Sequence, residues 1–246
     1  ILDKSIEQTE ISIKKYKLIK EGMMQDFFTR GVLPDGSLRA SREEVPELYH
    51  ETPLGWVPKE WNTDAFKSAI KSIDAGGRKK FRSTVPWFDQ WGVIKESAIN
   101  PEGFKNEEAK VIIDTQYINK EYEILNDDLL ISRANPPTLV GLVSLVENVR
   151  KNLMLSDKSL RINLNDSLDK HFCFYQLTQP HVRKQIELNA TGTSGSMKNI
   201  SQHAIRNFQL MFPTPSEQIL IKDKLKAIDV YINNLKIQKK KYEMKK

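Results

Sequence analysis

Asn135-Pro136-Pro137-Thr138 is the stretch of this sequence nearest to a catalytic motif. Amino-methyltransferases that act on DNA use Asn/Asp-Pro-Pro followed by an aromatic ring, which stacks on a flipped-out base. Thr138 stands in that fourth place, and no glycine-rich strand-to-helix turn for S-adenosylmethionine occurs in the chain. The motif therefore lacks its context, and a proline turn closing the LLISRA strand is the simpler reading. Glu108-Ala109-Lys110 has the form of half a Glu-x-Lys nuclease site. No aspartate in a suitable strand precedes it closely, and residues 102–128 are strongly acidic, which reads as a solvated acidic face. His50, His171, His181 and His203 are scattered, and His171 with Cys173 lacks a second ligand pair at metal spacing. Neither a Walker nor a dinucleotide phosphate loop is present. These residue types imply no catalysis, no metal and no cofactor.

Three other stretches have the chemistry of nucleic-acid contact. Ala75–Arg82 packs four cations and two glycines into eight residues. Glycine lets backbone amides approach phosphates, and Arg/Lys release counterions. Gly77, Arg78, Lys79, Lys80 and Arg82 are its candidates, with Trp91 and Lys95 just beyond Trp87 and Phe88. Ala190–Asn199 is rich in hydroxyls and glycine and offers Thr193, Ser194, Lys198 and Asn199. Asparagine reads adenine bidentately, and lysine reads guanine or phosphate. Arg133, Asn135 and Thr138 follow an apolar strand. Each stretch has a plainer alternative: an ordinary basic loop, a surface turn, and an Arg133 buried against an acidic neighbour. Arg150-Lys151 and Arg183-Lys184 read as solvated dibasic pairs.

The net charge of +6 is unevenly spread. Residues 1–30 carry six Lys/Arg against five Asp/Glu, residues 31–216 carry 23 against 23, and residues 217–246 carry nine against four. The excess sits in the last segment, so only local patches of the middle suit DNA. No apolar run approaches the roughly 20 residues of a membrane helix, and no secretory signal pattern opens the chain. One cysteine excludes an internal disulfide and fits a reducing cytoplasm.

Two long helices are expected around these loops. Leu2, Ile6, Thr9, Ile13, Tyr16, Lys20, Met23 and Phe27 recur at alternating steps of four and three, a heptad seam. Sliding the sequence by 226 positions sets Leu2, Asp3, Ile6, Ile11, Lys14, Lys15, Tyr16 and Lys20 on Ile228, Asp229, Ile232, Ile237, Lys240, Lys241, Tyr242 and Lys246, and all pairs but the first are identities. Such an echo is the mark of a repeat. The closing helix runs its seam through Ile221, Leu225, Ile228, Ile232, Leu235, Lys239 and Tyr242, and the two seams can bury each other by packing antiparallel. Thr214, Pro215 and Glu217 form a Thr-Pro-x-Glu capping box at its start, and Gly31 suits the end of the opening helix. Residues 32–61, with prolines at 46, 53 and 58, read as an extended strap. From Asn62 onward short apolar runs dominate: Lys110–Asp114, Leu129–Ser132, Leu139–Val146 and Phe172–Leu177. They favour strands, with helices expected near Trp61–Ile70, Leu168–Gln179 and Pro180–Leu188. The fold class is α+β: a strand-rich mixed domain flanked by two antiparallel coiled-coil-like helices.

These pieces, in this order, resemble the specificity subunit of Type I restriction–modification systems. The matching residues are Thr9-Glu10, MMQDFFTRGV at Met23–Val32, GSLR at Gly36–Arg39, PLGWVPKEW at Pro53–Trp61, DLLISRAN at Asp128–Asn135, GTSGSMKNIS at Gly192–Ser201, and PTPSEQ with IKDKLKAID across Pro213–Asp229. The resemblance implies two target recognition domains per subunit, each reading half of a split site on double-stranded DNA. It also implies two helices that set the spacing and bind methyltransferase (modification) subunits, and through them restriction subunits. On this pattern the chain divides into a spacer helix (1–31), a strap (32–61), a target recognition domain (62–213) and a distal spacer helix (214–246). It looks like the C-terminal half of such a subunit or a half-sized version, with self-dimerisation through the helices left open. Leu2, Ile6, Ile13, Tyr16, Met23, Phe27, Leu225, Ile228, Ile232, Leu235 and Tyr242 would pack the helices. The expected function is thus non-catalytic sequence recognition. The competing class is a coiled-coil adaptor that binds protein through its neutral middle and enriches no DNA sequence.

Overall fold

The structure, a computed structural model, describes residues 2–77, 84–192 and 196–246. The chain divides into two compact units, one built from residues 1–62 and 212–246 and the other from residues 63–211.

The first unit is organised on two helices, Leu2–Thr29 and Pro215–Glu243, each about 42 Å long at ~1.5 Å per residue. They run antiparallel. Lys246 meets Asp3 at 2.7 Å, Lys239 meets Glu10 at 2.6 Å and Lys20 meets Asp229 at 2.6 Å, while the rings of Tyr16 and Tyr231 lie 4.4 Å apart. Both seams face inward. Ile221, Leu225, Ile228, Ile232 and Phe27 are buried, whereas Leu2, Ile6, Ile13, Tyr16, Met23, Leu235 and Tyr242 are half-buried. Packing is therefore tightest at the end where the opening helix stops and the closing helix starts. Gly31 ends the first helix at φ +72°, and a Cβ there would lie 2.1 Å from Glu217 Oε1. Both the left-handed backbone and the lack of a side chain are needed.

The capping box forms only by half. The Thr214 hydroxyl accepts from the Glu217 amide at 3.4 Å, but the Glu217 carboxylate is spent elsewhere. It accepts from the Val32 amide at 2.8 Å, from Trp61 Nε1 at 2.9 Å and from Arg39 Nη1 at 2.9 Å. Buried donors with no water to turn to outrank a helix-end amide that can reach solvent. The strap, too, is more folded than expected. Tyr49–Thr52 and Gly55–Pro58 pair as an antiparallel hairpin, with Gly55 at φ +98° and the Thr52 hydroxyl bonded to the Gly55 carbonyl at 2.8 Å.

The second unit holds a four-stranded antiparallel sheet in the order Val143–Leu145, Leu129–Ser132, Ser159–Leu164, Ile70–Ala75. Leu129, Leu130 and Ile131 are fully buried, so the strand is covered on both faces, which explains its unbroken apolar run. A three-stranded sheet, Leu153–Met154, Gly92–Ile94 and Ala109–Val111, shares a core with it through Ile94, Ala109, Leu130, Leu153 and Leu155. Helices Lys170–Leu177 and Pro180–Asn189 lie where helices were expected. The run Phe172–Leu177 is thus helical rather than a strand, started by Asp169, whose side chain accepts from the Phe172 amide. The helix expected near Trp61–Ile70 is absent. Asn62–Ala65 is a strand followed by one 3-10 turn, because the Phe66 amide donates to Phe208 at 2.7 Å instead of to its own chain four residues back. Leu139–Val146 is a strand only from Val143, since the amides of Leu139 and Val140 close a turn on the Pro136 carbonyl.

Candidate nucleic-acid interface

Two of the three sequence candidates come together in the second unit. Ala134–Asn135 pairs antiparallel with Lys198–Asn199, and the Ile200 amide donates to the Arg133 carbonyl at 2.9 Å. Thr191 and Asn199 exchange backbone bonds at 2.7 and 2.8 Å, closing the base of the second loop. A residue set split by more than fifty positions thereby shares one ribbon. Arg133, Thr138 and Asn199 are exposed, and Lys198 is half-exposed with its Nζ on the Gly192 carbonyl at 3.1 Å. Arg133 makes no ion pair among the described residues, contrary to the buried pairing weighed above, so its guanidinium is free for a base edge or phosphate. Asn135 is only 3% exposed; it lines the wall of an open groove of about 830 Å³ rather than the rim. Thr193 and Ser194 lie outside the described residues, as do Arg78, Lys79, Lys80 and Arg82.

The groove also takes in Glu96, Glu102, Glu108, Ser196 and Met197. Its acids are largely matched: Lys158 meets Glu96 at 3.1 Å and Lys95 meets Glu108 at 3.3 Å. The Ser97 hydroxyl, at 2.6 Å, and Lys95 after it hold the Glu108 carboxyl below its usual range. Glu108 is thus tied into a local network rather than simply solvated, and Lys95 spends part of its charge on it. Among the described residues no group of three His, Cys, Asp or Glu is placed to hold a metal ion, and no helix is long and apolar enough to cross a membrane.

Residues on either side of the basic stretch are tied to neighbouring backbone. The Gly76 amide donates to Ser156 at 3.2 Å, where a Cβ would collide with the Leu155 carbonyl, and the Thr84 carbonyl accepts from Val111 at 2.8 Å. Gly77 is exposed. Trp91 is half-buried against Val93, Ile112 and Met154, which makes it an anchor for that stretch rather than a free ring. The dibasic pairs are not simply solvated. Arg183 holds the carbonyls of Val140 and Pro137 at 2.7 and 3.1 Å, fixing the proline turn that carries Thr138, and Arg150 holds three carbonyls of the turn at 86–90. Sequence reasoning missed both roles, for their acceptors lie more than forty positions away.

Residues 58–243 match the family model of the Type I restriction modification DNA specificity domain. The chain belongs to this family. Among curated relatives, this chain is 29% identical over 210 residues to the Type I restriction enzyme EcoEI specificity subunit of Escherichia coli, covering 85% of this chain and 33% of the relative. It is 25% identical over 230 residues to the MjaVIII specificity subunit of Methanocaldococcus jannaschii, covering 91% of this chain and 49% of the relative. The chain therefore spans a third to a half of the length of these relatives. Its fold is similar to that of the HsdS subunit from Thermoanaerobacter tengcongensis, with a TM-score of 0.56 at 14% identity over 96% of this chain and 49% of that one. A subunit of a type I R-M system structure, described for its complex assembly and conformational transition, gives 0.53 at 14% identity over 98% of this chain and 53% of that one. Membership of the specificity-domain family favours sequence recognition over the adaptor, and the α+β class with two flanking helices agrees with both structures.

Proposed function

We propose that this chain is a non-catalytic reader of one half of a split duplex site, working in the cytoplasm. The observation that carries the reading is the ribbon of Ala134–Asn135 with Lys198–Asn199, which brings Arg133 into the same backbone ladder as Lys198 and Asn199, with Thr138 in the turn that follows Asn135. These are the residue types that read base edges and phosphates. Residues 62–213 act as the recognition domain, with 1–31 and 214–246 as spacer helices and 32–61 as the strap. A second copy, or a second domain of a longer chain, supplies the other reading head, and helix length sets the gap between the half-sites.

The helix pair offers surfaces for the modification subunits that carry the chemistry. Ile11 and Leu18, 61% and 59% exposed, lie seven residues apart on the outer face of the opening helix, opposite its seam. Val230 and Ile237, 52% and 46% exposed, repeat the arrangement on the closing helix. Apolar positions at heptad spacing are what a partner helix packs on.

Selection from a pool of random duplexes with the full chain tests the reading. One short sequence should be enriched, each mismatch in it costing about 1–3 kcal/mol, and no methylation should occur with S-adenosylmethionine unless a modification subunit is added. Charge reversal at Arg78, Lys79 and Lys80 should weaken binding and flatten its salt dependence. Methylation by the chain alone, or a pool that enriches no sequence, would overturn the proposal.

A further inference from the structure

Asn135 differs from its neighbours in the ribbon. Arg133 and Thr138 on either side of it are exposed, whereas Asn135 is 3% exposed and lines the adjoining groove. Its carboxamide makes no hydrogen bond among the described residues. Buried polar groups are normally paired, so a carboxamide left open in a groove wall points to a ligand that pairs with it. The wall is fixed beforehand. Asn135 pairs with Lys198 in the ladder, and the Pro136 carbonyl accepts from the Leu139 and Val140 amides at 2.8 and 2.9 Å. Arg183 holds the carbonyls of Val140 and Pro137.

The groove selects the ligand. Its three carboxylates are each matched by a lysine: Glu96 by Lys158 at 3.1 Å, Glu102 by Lys105 at 3.5 Å and Glu108 by Lys95 at 3.3 Å. A phosphate placed there would face three carboxylates whose lysines are already spent, whereas a neutral ring with an amino donor meets acceptors. Pro136, Leu139 and Met197 add apolar surface for the faces of such a ring, and the volume of about 830 Å³ is that of clefts which enclose small molecules. An asparagine carboxamide pairs with adenine by two bonds, accepting from N6 and donating to N7. Guanine offers two acceptors on that edge and thymine an acceptor and a methyl group, so neither completes the pair. A side chain this recessed cannot reach into the major groove, which is about 8.5 Å deep. The base has to leave the stack to meet it.

We infer that the groove receives an unstacked adenine, and that Asn135 reads it through N6 and N7. This rests on the duplex-reading function proposed above, which supplies the base from the bound strand. It adds a second kind of discrimination, because one adenine of the half-site is then tested for ease of unpairing as well as for identity.

The test uses the duplex enriched by the full chain, with the base opposite each adenine removed in turn, so that the adenine is cheap to extrude. Binding should tighten at one position, by roughly 10- to 100-fold. There, purine, which lacks the amino group, and 7-deazaadenine, which lacks the N7 acceptor, should each lose most of the gain. The N135A chain should lose it too, yet still select the remaining bases. Both base substitutions use the wild-type chain, so they decide the matter whether or not N135A folds. Adenosine alone, in equilibrium dialysis, should not bind; N135A-sensitive binding of adenosine in place of the duplex effect would make the ligand a free nucleoside and overturn extrusion. If no position tightens, or if purine and N135A keep the gain, the groove takes no base and duplex reading stands. If the chain enriches no sequence, duplex reading fails and the extruded adenine with it.

Discussion

Replacing Glu217 with alanine removes one carboxylate and strands three donors. The Glu217 and Arg39 side chains are each 6% exposed and meet at 2.9 Å. Burial alone would lower the Arg39 pKa, but the hydrogen bond and charge of Glu217, with Glu60 beyond, outweigh it and leave it raised. In the Glu217→Ala protein Arg39 keeps the Arg30 carbonyl at 2.8 Å and, as its one counter-charge, Glu60, whose side chain is 65% exposed, while the Val32 amide and Trp61 Nε1 lose their acceptor. An unpaired buried charge costs about 3–5 kcal/mol, and each orphaned neutral donor about 1–3 kcal/mol. These losses overlap in one cluster, so a total of about 4–5 kcal/mol is expected. In a chain of this size that lowers the melting midpoint by about 8–20 °C. Glu217→Gln keeps one carbonyl acceptor and should lose roughly half as much. Lys246→Ala, which breaks an exposed pair with Asp3, is the control and should melt like the wild type. Calorimetry with urea titration as a second probe would report both unit transitions. Should Glu217→Ala melt with the Lys246→Ala control, the carboxylate is not what joins strap, tryptophan and helix, and the reasoning fails.

Burial pushes the His181 pKa down to about 4. The folded state then resists protonation while the unfolded state accepts it, so stability is full above about pH 6.5 and falls as pH drops toward 4, by about 2 kcal/mol between pH 7 and pH 5. His181→Leu should remove that slope, as seen in urea midpoints measured across the range. Arg161 bonds Asp74 at 3.0 Å, Asp128 at 3.2 Å and the Glu121 and Glu123 carbonyls; Arg161→Ala should cost about 3 kcal/mol, read in the same titration. Leu225→Ala, in the buried seam, should cost about 2–5 kcal/mol. Ile237→Ser on the outer face should instead leave melting unchanged and weaken capture of modification subunits in a pull-down.

Periodicity made the helix pair legible. A four-three seam written twice, 226 residues apart, is a local signal, and its antiparallel burial follows because an exposed apolar stripe on a lone helix has nothing to pack on. The buried strand Leu129–Ser132 was legible for the same reason, being apolar at successive positions. The candidate contact loops were legible as composition, Arg133 at a strand end and Lys198-Asn199 in a hydroxyl-rich stretch. Their union in one ribbon was not, because strand register is fixed by backbone partners far apart in sequence, Ala134 with Asn199 and Asn135 with Lys198. Glu217 shows the limit most sharply. Its neighbours in sequence assign it to Thr214, whereas its carboxylate goes to donors 156 to 185 positions away. Arg150 and Arg183 likewise read as solvated cations until the carbonyls they hold are in place. Sequence by itself determined the two long helices, the buried strand and which residue types are available for recognition. Tertiary structure decided where each buried polar group spends its hydrogen bonds, because that choice goes to whichever unsatisfied partner packing brings near, not to the nearest one along the chain.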